Sequence, residues 1–222
     1  MKEIILDTET TGLSVKDGHR IVEIGCIELD NLVPTKNIFH CYLNPERKVS
    51  EKAFEVHGYS DQFLSNKKKF FEIADDFLNF IKDKKIIIHN AEFDISHLNN
   101  ELSIAGKPEI NKEYTVDTLD LARNKFPGSG ISLDALCKRF RIDNSKREKH
   151  TALIDCELLA KVYINLLDQK EPKLNFSNSV DINSVETQNK NITYSKKIVY
   201  PTSEELEQHR EFLKRDLKKN FY

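Results

Sequence analysis

The sequence predicts an α/β protein with a mixed central β-sheet flanked by α-helices. Three segments of strand character lie near the amino terminus, and helical and strand segments then alternate along the chain. Alternation of this kind packs helices against the faces of one sheet. The chain has 222 residues, of which 39% are hydrophobic, and this is enough for one sizeable core.

Apolar runs define the first three predicted strands. Residues 3–8 are apolar on both faces, residues 21–29 form a second run, and residues 39–43 form a third. Asn31 and Pro34 fall between the second and third runs, and both residue types favour turns. We therefore expect these three strands to form a meander.

Capping residues and helical spacing predict the helices. Ser50 caps a short helix that stops at Gly58, and Ser132 caps another. A short buried strand at residues 86–88 lies between two of the longer helices, and residues 115–117 lead into one more helix. Apolar side chains recur at helical spacing in residues 70–81 and 152–167. A further helix is predicted at residues 93–105, where Gly106 and Pro108 close it.

The composition changes after Leu167. The segment that follows is rich in Asn, Ser and Lys, and it has too few large apolar groups to offset the entropy of ordering it. Thr202 and Glu205 then predict a capping box for a helix that runs to about Lys219. That helix is charged almost all round, so it either docks on a partner or is a solvated tail. We divide the chain into a domain at residues 1–167, a flexible linker at 168–197 and a tail at 198–222.

The composition also argues against several classes of protein. The net charge is -2, whereas a strong nucleic-acid binder usually has a basic excess, so such contacts must be local or assisted by metal ions. No apolar run approaches the roughly 18 residues that span a membrane, and no signal peptide is expected. The cysteines form no C-x-x-C pair and are expected to be reduced core residues of a cytoplasmic protein. They are Cys26, Cys41, Cys137 and Cys156.

Two carboxylates end the first predicted strand. Asp7 and Glu9 are two residues apart, so on a strand they project from the same face. Carboxylates this close repel each other, and one is protonated unless a cation lies between them. A solvated pair at a surface strand end is the alternative, and this motif alone does not decide between the two.

Two other acids strengthen the metal interpretation. Asp94 follows a buried strand at the start of a helix, a place where the helix dipole also favours an acid. Asp155 lies beside the apolar stripe of a later helix, five residues after His150. Its neighbours Ile154 and Cys156 make a purely solvated role less favourable.

In this order and context, the four carboxylates resemble the DEDD exonuclease family, which has a ribonuclease-H-like fold. The resemblance covers residues 1 to about 167, and its motifs are DTETTG with Asp7 and Glu9, HNAEFD with Asp94, and HTALID with His150 and Asp155. One branch of that family has Tyr four residues before the last acid. This chain has Thr151 there, preceded by His150, so it resembles the His branch.

The resemblance implies a site with two divalent metal ions, Mg²⁺ or Mn²⁺, which suit ligands that are all oxygen. Two ions about 3.5–4 Å apart clamp the attacking and leaving oxygens of an in-line phosphodiester displacement. His150 is the expected general base, because its reference pKa of about 6.5 lets it accept a proton near neutral pH. A surface histidine at a helix start is the alternative. The expected metal ligands are Asp7, Glu9, Asp94 and Asp155.

The resemblance also implies contacts with a single-stranded or frayed DNA 3′ end. Thr10 is expected to meet the 3′-hydroxyl, Leu13 to wedge against the last base, and His57 to contact the terminal nucleotide. Phe93 is either a stacking face for a base or a core aromatic. Lys52 stands where the family usually has Glu, which puts a contact from that position in question. The metal ligands Asp7, Glu9 and Asp155 complete the expected substrate-binding set.

Three further segments resemble the proofreading subunits of bacterial replicative DNA polymerases. They are AFEVHGYSDQFL, FPGSGISLDALCKRFRIDNSKR and PTSEELEQHREFLKRDL. This match implies removal of mismatched 3′ nucleotides and binding of residues 198–222 to the polymerase (alpha) subunit. Residues 171–176, EPKLNF, resemble the Q-x-x-L-x-F ligands of the sliding clamp. Glu171 stands where Gln is usual, and a plain linker is the alternative.

Three competing functions are a stand-alone exoribonuclease of short RNA 3′ ends, a tethering subunit with a decayed site, and a phosphatase. The linker and tail argue against the first, which would normally stop near residue 170 or 180. The intact acids and His150 argue against the second. A phosphatase loop at residues 7–9 would normally have Asp where Glu9 stands, and it leaves the later acids unexplained.

Overall fold

The computed structural model describes residues 2–145, 147, 149–167 and 200–216. These residues belong to two units, one within residues 1–174 and the other within residues 175–222. The first unit contains the sheet, and the second contains one helix. The predicted linker at 168–197 lies outside the described residues, as does the predicted clamp-binding segment at 171–176.

A mixed five-stranded sheet forms the centre of the first unit, with strand order β3-β2-β1-β4-β5. The strands are β1 (Lys2–Thr10), β2 (Ile21–Asp30), β3 (Val33–Tyr42), β4 (Lys85–Ile88) and β5 (Thr115–Asp117). β2 pairs antiparallel with both β1 and β3, whereas β4 pairs parallel with β1 and β5. The predicted fold class is therefore confirmed at the level of the sheet.

The predicted meander is present, but its third strand is longer than expected. β3 begins at Val33, so the connection is a tight turn at Asn31 and Leu32, whose φ angles are 49° and 66°. Positive φ at both central residues is typical of a two-residue hairpin turn. The interpretation of Pro34 as part of the gap is wrong, because Pro34 lies inside β3. That strand is at the sheet edge, where a residue without an N–H is tolerated.

Seven helices surround the described part of the sheet. They are α1 (Glu51–His57), α2 (Asp61–Ser65), α3 (Phe70–Ile81), α4 (Ala91–Ile104), α5 (Thr118–Lys125), α6 (Leu133–Phe140) and α7 (Ala152–Leu166). The predicted caps are confirmed, because the side chains of Ser50 and Ser132 accept the N–H groups of Ala53 and Ala135. Sequence analysis missed α2, whose five residues are too few to show helical periodicity.

The two faces of the sheet carry separate apolar cores. These cores show which face each side chain at the end of β1 points to. Ile4 packs on the face covered by α3 and α4, whereas Ile5 packs on the face covered by α6 and α7. Side chains alternate along a strand. Asp7 and Glu9 therefore share the face of Ile5 and point toward α7, while Thr8 points toward α4.

The second unit contains helix α8 (Ser203–Asp216). Its predicted capping box is confirmed, because Glu205 Oε2 accepts the Thr202 N–H at 2.8 Å and Thr202 Oγ1 accepts the Glu205 N–H at 3.3 Å. Leu206 and Phe212 are apolar side chains on this charged helix, and they are 47% and 53% exposed. The predicted continuation to Lys219 lies outside the described residues.

The described helices do not include a candidate membrane span. Each helix within the described ranges is too short or too polar to cross a bilayer.

Candidate active site

The structure brings the five predicted catalytic residues to one cavity of about 450 Å³ at the carboxyl end of β1. Asp7 and Glu9 come from β1 itself. Asp94 lies in the first turn of α4 and Asp155 in the first turn of α7, and both are buried. His150 precedes α7. Because Asp94 and Asp155 are buried, neither is a solvated surface acid.

Thr8 sets the orientation of Asp94. β4 pairs with β1 only as far as Ile5 and Ile87, so the Thr8 N–H lies beyond the end of that ladder. It donates to Asp94 Oδ1 at 3.1 Å, and the Thr8 hydroxyl donates to the same oxygen at 2.7 Å. Asn90 has φ 71° and turns the chain from β4 into α4. The end of β1 therefore supplies two carboxylates of its own and fixes a third.

The first turn of α7 lies directly against β2 at Gly25. A Cβ atom at Gly25 would lie 2.7 Å from the Ala152 carbonyl carbon and 2.8 Å from the Leu153 nitrogen, so a larger residue would push the helix away. Cys156 Sγ donates to the Gly25 carbonyl at 3.2 Å. Gly25 is also the register partner of Asp7. This close approach brings the helix that carries the last acid over the end of β1.

Glu23 anchors the amino terminus of α7. It is fully buried in β2, and its Oε2 accepts the Ala152 N–H and the Tyr59 hydroxyl, each at 2.9 Å. Its Oε1 lies 2.7 Å from His40 Nε2. The first N–H groups of a helix have no partner inside it, so a buried carboxylate satisfies one of them and complements the helix dipole. Glu23 therefore holds Asp155 in position without being part of the cavity lining.

A group of potential metal ligands is found where β1 meets α7. Glu9, His150 and Asp155 each bring one ligand atom within 4.8 Å of the others. Asp7 and Asp94 are not in this group, although they line the same cavity. Carboxylate oxygens that converge on one cavity are suitable ligands for Mg²⁺ or Mn²⁺. The donor set therefore fits divalent cations, which the predicted family chemistry requires.

Burial and mutual repulsion raise the pKa values of three of the four carboxyls. Burial, followed by the charges of Asp155 and Glu23, raises the pKa of Glu9 to about 8. Burial, followed by the charges of Asp94 and Glu9, raises the pKa of Asp7 well above its usual range. Burial also raises the pKa of Asp94 to about 7, although its hydrogen bonds from β1 act in the opposite direction. At these three carboxyls, burial and the neighbouring negative charges therefore outweigh the effect of nearby positive charge.

Asp155 differs from the other acids because Arg147 neutralises it. Nε and Nη2 of Arg147 each donate to one Asp155 carboxylate oxygen at 2.6 Å. Nη2 also lies 2.8 Å from His150 Nδ1, and Nη1 donates to Asp134 Oδ1 at 2.7 Å. Burial raises the pKa of Asp155, but interactions with His150 and Arg147 outweigh burial and hold that pKa below its usual value.

The remaining predicted substrate contacts are not part of the cavity lining. Thr10 is buried, and its hydroxyl donates to the Gly12 carbonyl at 2.8 Å within the turn after β1. His57 Nδ1 accepts the Tyr59 N–H at 3.0 Å, and its Nε2 lies 3.3 Å from the Thr10 carbonyl. Leu13 is 83% exposed. The roles of Thr10, His57 and Leu13 stay predictions.

Phe93 and His89 both line the cavity, and Phe93 is only half-buried. Phe93 is therefore not a fully buried core aromatic, and its role as a stacking face for a base stays a prediction. His89 Nδ1 lies 2.9 Å from Thr118 Oγ1, a contact that joins the end of β4 to the start of α5. Lys52 is exposed on α1 and does not line the cavity.

Sequence analysis missed three residues that organise the site. Thr8 stands between the two strand acids, but nothing in the motif shows that it fixes an acid from another element. Glu23 gave a stronger signal, because it is a charged residue between apolar residues of a mostly apolar strand. Arg147 belongs to the basic segment before His150, and only the tertiary structure turns it toward Asp155.

Comparisons with known proteins agree with this geometry. A family model described as Exonuclease matches residues 4–163. The DNA polymerase III subunit epsilon of Rickettsia conorii is 50% identical, and the alignment covers 98% of this chain and 97% of that protein.

Two solved structures share the fold of the first unit. Exonuclease X in complex with 5′ overhanging duplex DNA has a TM-score of 0.59 and 26% identity, and the match covers 75% of this chain and 92% of that one. The nuclease domain of 3′hExo, a DEDDh family member bound to rAMP, has a TM-score of 0.64 and 17% identity, and covers 76% and 92%.

The fold and the site together define an exonuclease of ribonuclease-H-like fold. The chain belongs to the exonuclease family and, within it, to the group of DNA polymerase III epsilon subunits. The resemblance predicted from the sequence motifs is therefore confirmed.

The metal-free protein is expected to lose stability as the pH rises from about 4.5 to about 8. The pKa of Glu9 is raised from 4.5 to about 8 in the folded protein. A group whose folded pKa is raised contributes stability that is complete below its unfolded pKa and is lost as the pH passes its folded pKa. Thermal unfolding in EDTA across this range measures the effect.

The control for this effect is Glu9→Gln, whose side chain does not titrate. Its unfolding midpoint in EDTA should depend less on pH over the same range than that of the parent protein. Equal pH dependence in both proteins would show that Glu9 is not the group responsible.

Glu23→Ala is expected to destabilise the fold by about 2–4 kcal/mol, because it leaves the Ala152 N–H and the Tyr59 hydroxyl without their acceptor. Glu23→Gln can still accept both hydrogen bonds through its amide oxygen, so its stability should stay near that of the parent. Chemical unfolding of both variants measures this difference. Equal destabilisation would mean that the charge of Glu23, rather than its acceptor oxygens, anchors α7.

Proposed function

We propose that this protein is the proofreading exonuclease of the replicative DNA polymerase and removes mismatched nucleotides from DNA 3′ ends by metal-dependent hydrolysis. The observation that carries the proposal is the cavity at the end of β1, where carboxylates from β1, α4 and α7 meet a histidine. That cavity lies in a chain that is 50% identical over almost its whole length to an epsilon subunit.

The ligands proposed for two divalent ions, Mg²⁺ or Mn²⁺, are Asp7, Glu9, Asp94 and Asp155. Such ions, when bound, supply the positive charge that binds the scissile phosphate and favours ionisation of the attacking water. The contribution of the chain is to hold the acids where their charges converge. Thr8 does this for Asp94, and Glu23 does it for Asp155 through α7.

His150 is proposed as the general base that accepts a proton from the attacking water. Its backbone N–H donates to the Val56 carbonyl at 3.2 Å, which ties the residue to the end of α1. Its Nδ1 lies 3.4 Å from Asp155 Oδ2, and its side chain is 43% exposed at the cavity. A neutral imidazole at this position can accept a proton near neutral pH.

The substrate is proposed to be a frayed or single-stranded 3′ end. Leu13 is largely exposed in the turn after β1, where it can wedge against the last base, and the Phe93 ring lines the cavity. Thr10 and His57 are linked through the Thr10 carbonyl and are proposed to contact the terminal nucleotide. A mispaired terminus melts more easily than a paired one, so selection for mismatches follows from access rather than from reading the bases.

Residues 198–222 are proposed to bind the polymerase (alpha) subunit. Helix α8 presents Leu206 and Phe212 as exposed apolar side chains on a charged helix, which suits docking in a partner groove. The preceding residues 168–197 would then act as a tether that keeps the nuclease near the primer end at high effective concentration. Residues 171–176 are proposed as a weaker ligand of the sliding clamp.

The activity is tested with a primer that carries a mismatched 3′ nucleotide, in Mg²⁺ and in EDTA. We expect shortening from the 3′ end in Mg²⁺ only. Asp7→Ala should abolish it while the protein stays folded, because losing one acid relieves repulsion in the metal-free site. An RNA primer of the same sequence is the second arm, and faster degradation of RNA would instead favour a stand-alone exoribonuclease.

His150→Ala should lower kcat by about 10²–10⁴-fold, because proton transfer by a positioned base contributes about that much. This variant should still bind metal ions, and calorimetry measures that binding. Unchanged turnover would reject His150 as the base.

Deletion of residues 198–222 should leave nuclease activity on free primers intact but remove binding to the alpha subunit. In the full chain, Phe212→Ala should weaken that binding by about tenfold or more, as expected for a buried aromatic anchor. Glu207→Gln, an exposed polar change on the same helix, is the control. Binding that survives the deletion would place the polymerase contact elsewhere on the chain.

A further inference from the structure

Arg147 neutralises a proposed metal ligand with the chain's own positive charge. The planar guanidinium contacts both Asp155 oxygens at 2.6 Å, the two-point geometry in which arginine binds carboxylates most strongly. Both partners are nearly buried, with side-chain exposures of 8% for Arg147 and 5% for Asp155. An ion pair excluded from water to this degree is screened little by salt.

The same guanidinium also engages the proposed base. Arg147 Nη2 lies 2.8 Å from His150 Nδ1. A guanidinium can only donate hydrogen bonds, so Nδ1 must be the acceptor, and a neutral His150 then carries its proton on Nε2. In this arrangement neither ring nitrogen is free to take a proton from water. Arg147 therefore binds both the proposed metal ligand Asp155 and the proposed general base His150.

We propose that Arg147 is an internal cation that holds Asp155 and His150 in the metal-free enzyme and is displaced when divalent metal ions bind. The inference rests on the proposed metal site. Arg147 competes with the ions for Asp155, and its departure also releases the acceptor nitrogen of His150. Metal binding and activation of the base are thereby coupled through one side chain.

Asp134 gives Arg147 a partner that metal binding leaves in place. Arg147 Nη1 donates to Asp134 Oδ1 at 2.7 Å, and the Asp134 side chain is 57% exposed at the edge of the cavity. The guanidinium can therefore leave Asp155 without losing every carboxylate contact. Displacement then costs less than it would for an arginine that had Asp155 as its one partner.

Arg147 could instead orient Asp155 as a metal ligand, and that role predicts the opposite change in metal affinity. If the guanidinium stayed on Asp155 in the metal-bound enzyme and oriented that ligand, its removal would weaken metal binding. If Arg147 competes, its removal tightens metal binding. The sign of the change in metal affinity therefore decides between the two roles.

The experiment is a calorimetric titration of the full chain with Mn²⁺ in the absence of DNA. Arg147→Gln should lower the apparent Kd by about tenfold, if the Arg147-bound arrangement holds about nine-tenths of the metal-free molecules. Arg147→Lys keeps the charge but loses the two-point geometry, so its affinity should be intermediate. Arg139→Gln makes the same charge change on the exposed side of α6 and should leave the affinity unchanged.

A second measurement follows Arg147 directly. Labelling of arginines by phenylglyoxal, mapped by mass spectrometry, should modify Arg147 slowly in EDTA and faster after Mn²⁺ is added, because displacement exposes the guanidinium. Arg139 is the internal reference. Labelling of Arg147 that stays the same or slows with Mn²⁺ would overturn the proposal.

The two measurements also separate this inference from the proposed function. Absence of Mn²⁺ binding by the parent protein would end both. Binding by the parent protein that becomes weaker or stays the same in Arg147→Gln would leave the metal-dependent nuclease intact and reject only the competition by Arg147.

Discussion

Repulsion among buried carboxylates is the constraint on which the rest of this structure depends. Asp94, Asp155 and Glu9 are buried at one end of the sheet, and burial with mutual repulsion raises the pKa of Glu9 to about 8. An assembly of this kind is unfavourable by itself, since unpaired buried charges are costly. It is consistent with a protein whose working state includes cations, and the metal-dependent chemistry of its family requires them.

The fold concentrates these charges through the alternation of one central strand. β1 has neighbours on both sides, and its last residues direct Asp7 and Glu9 to the α7 face and Thr8 to the α4 face. Each face then receives one further acid from a helix start, where the dipole favours negative charge. The surrounding contacts at Gly25 and Glu23 let α7 approach closely enough to complete the site.

Much of this could be predicted because the signals are local. Apolar periodicity and capping residues located the main elements, and the tail's capping box was confirmed in detail. The errors have physical causes. α2 is too short for periodicity, and Pro34 fits inside β3 because that strand lies at the sheet edge. Neither the length of α2 nor the edge position of β3 can be deduced from the local sequence.

The sequence by itself determined the residue types of the site and their order along the chain, because motifs such as DTETTG are contiguous. The tertiary structure decided which residues support them. Glu23 lies 129 residues from the N–H it accepts, and Thr8 lies 86 residues from the carboxylate it orients. Arg147 is near Asp155 in sequence, yet its direction depends on its contacts with Asp134 of α6 and Asp155 of α7. Such contacts arise only when the chain closes on itself, so no local pattern contains them.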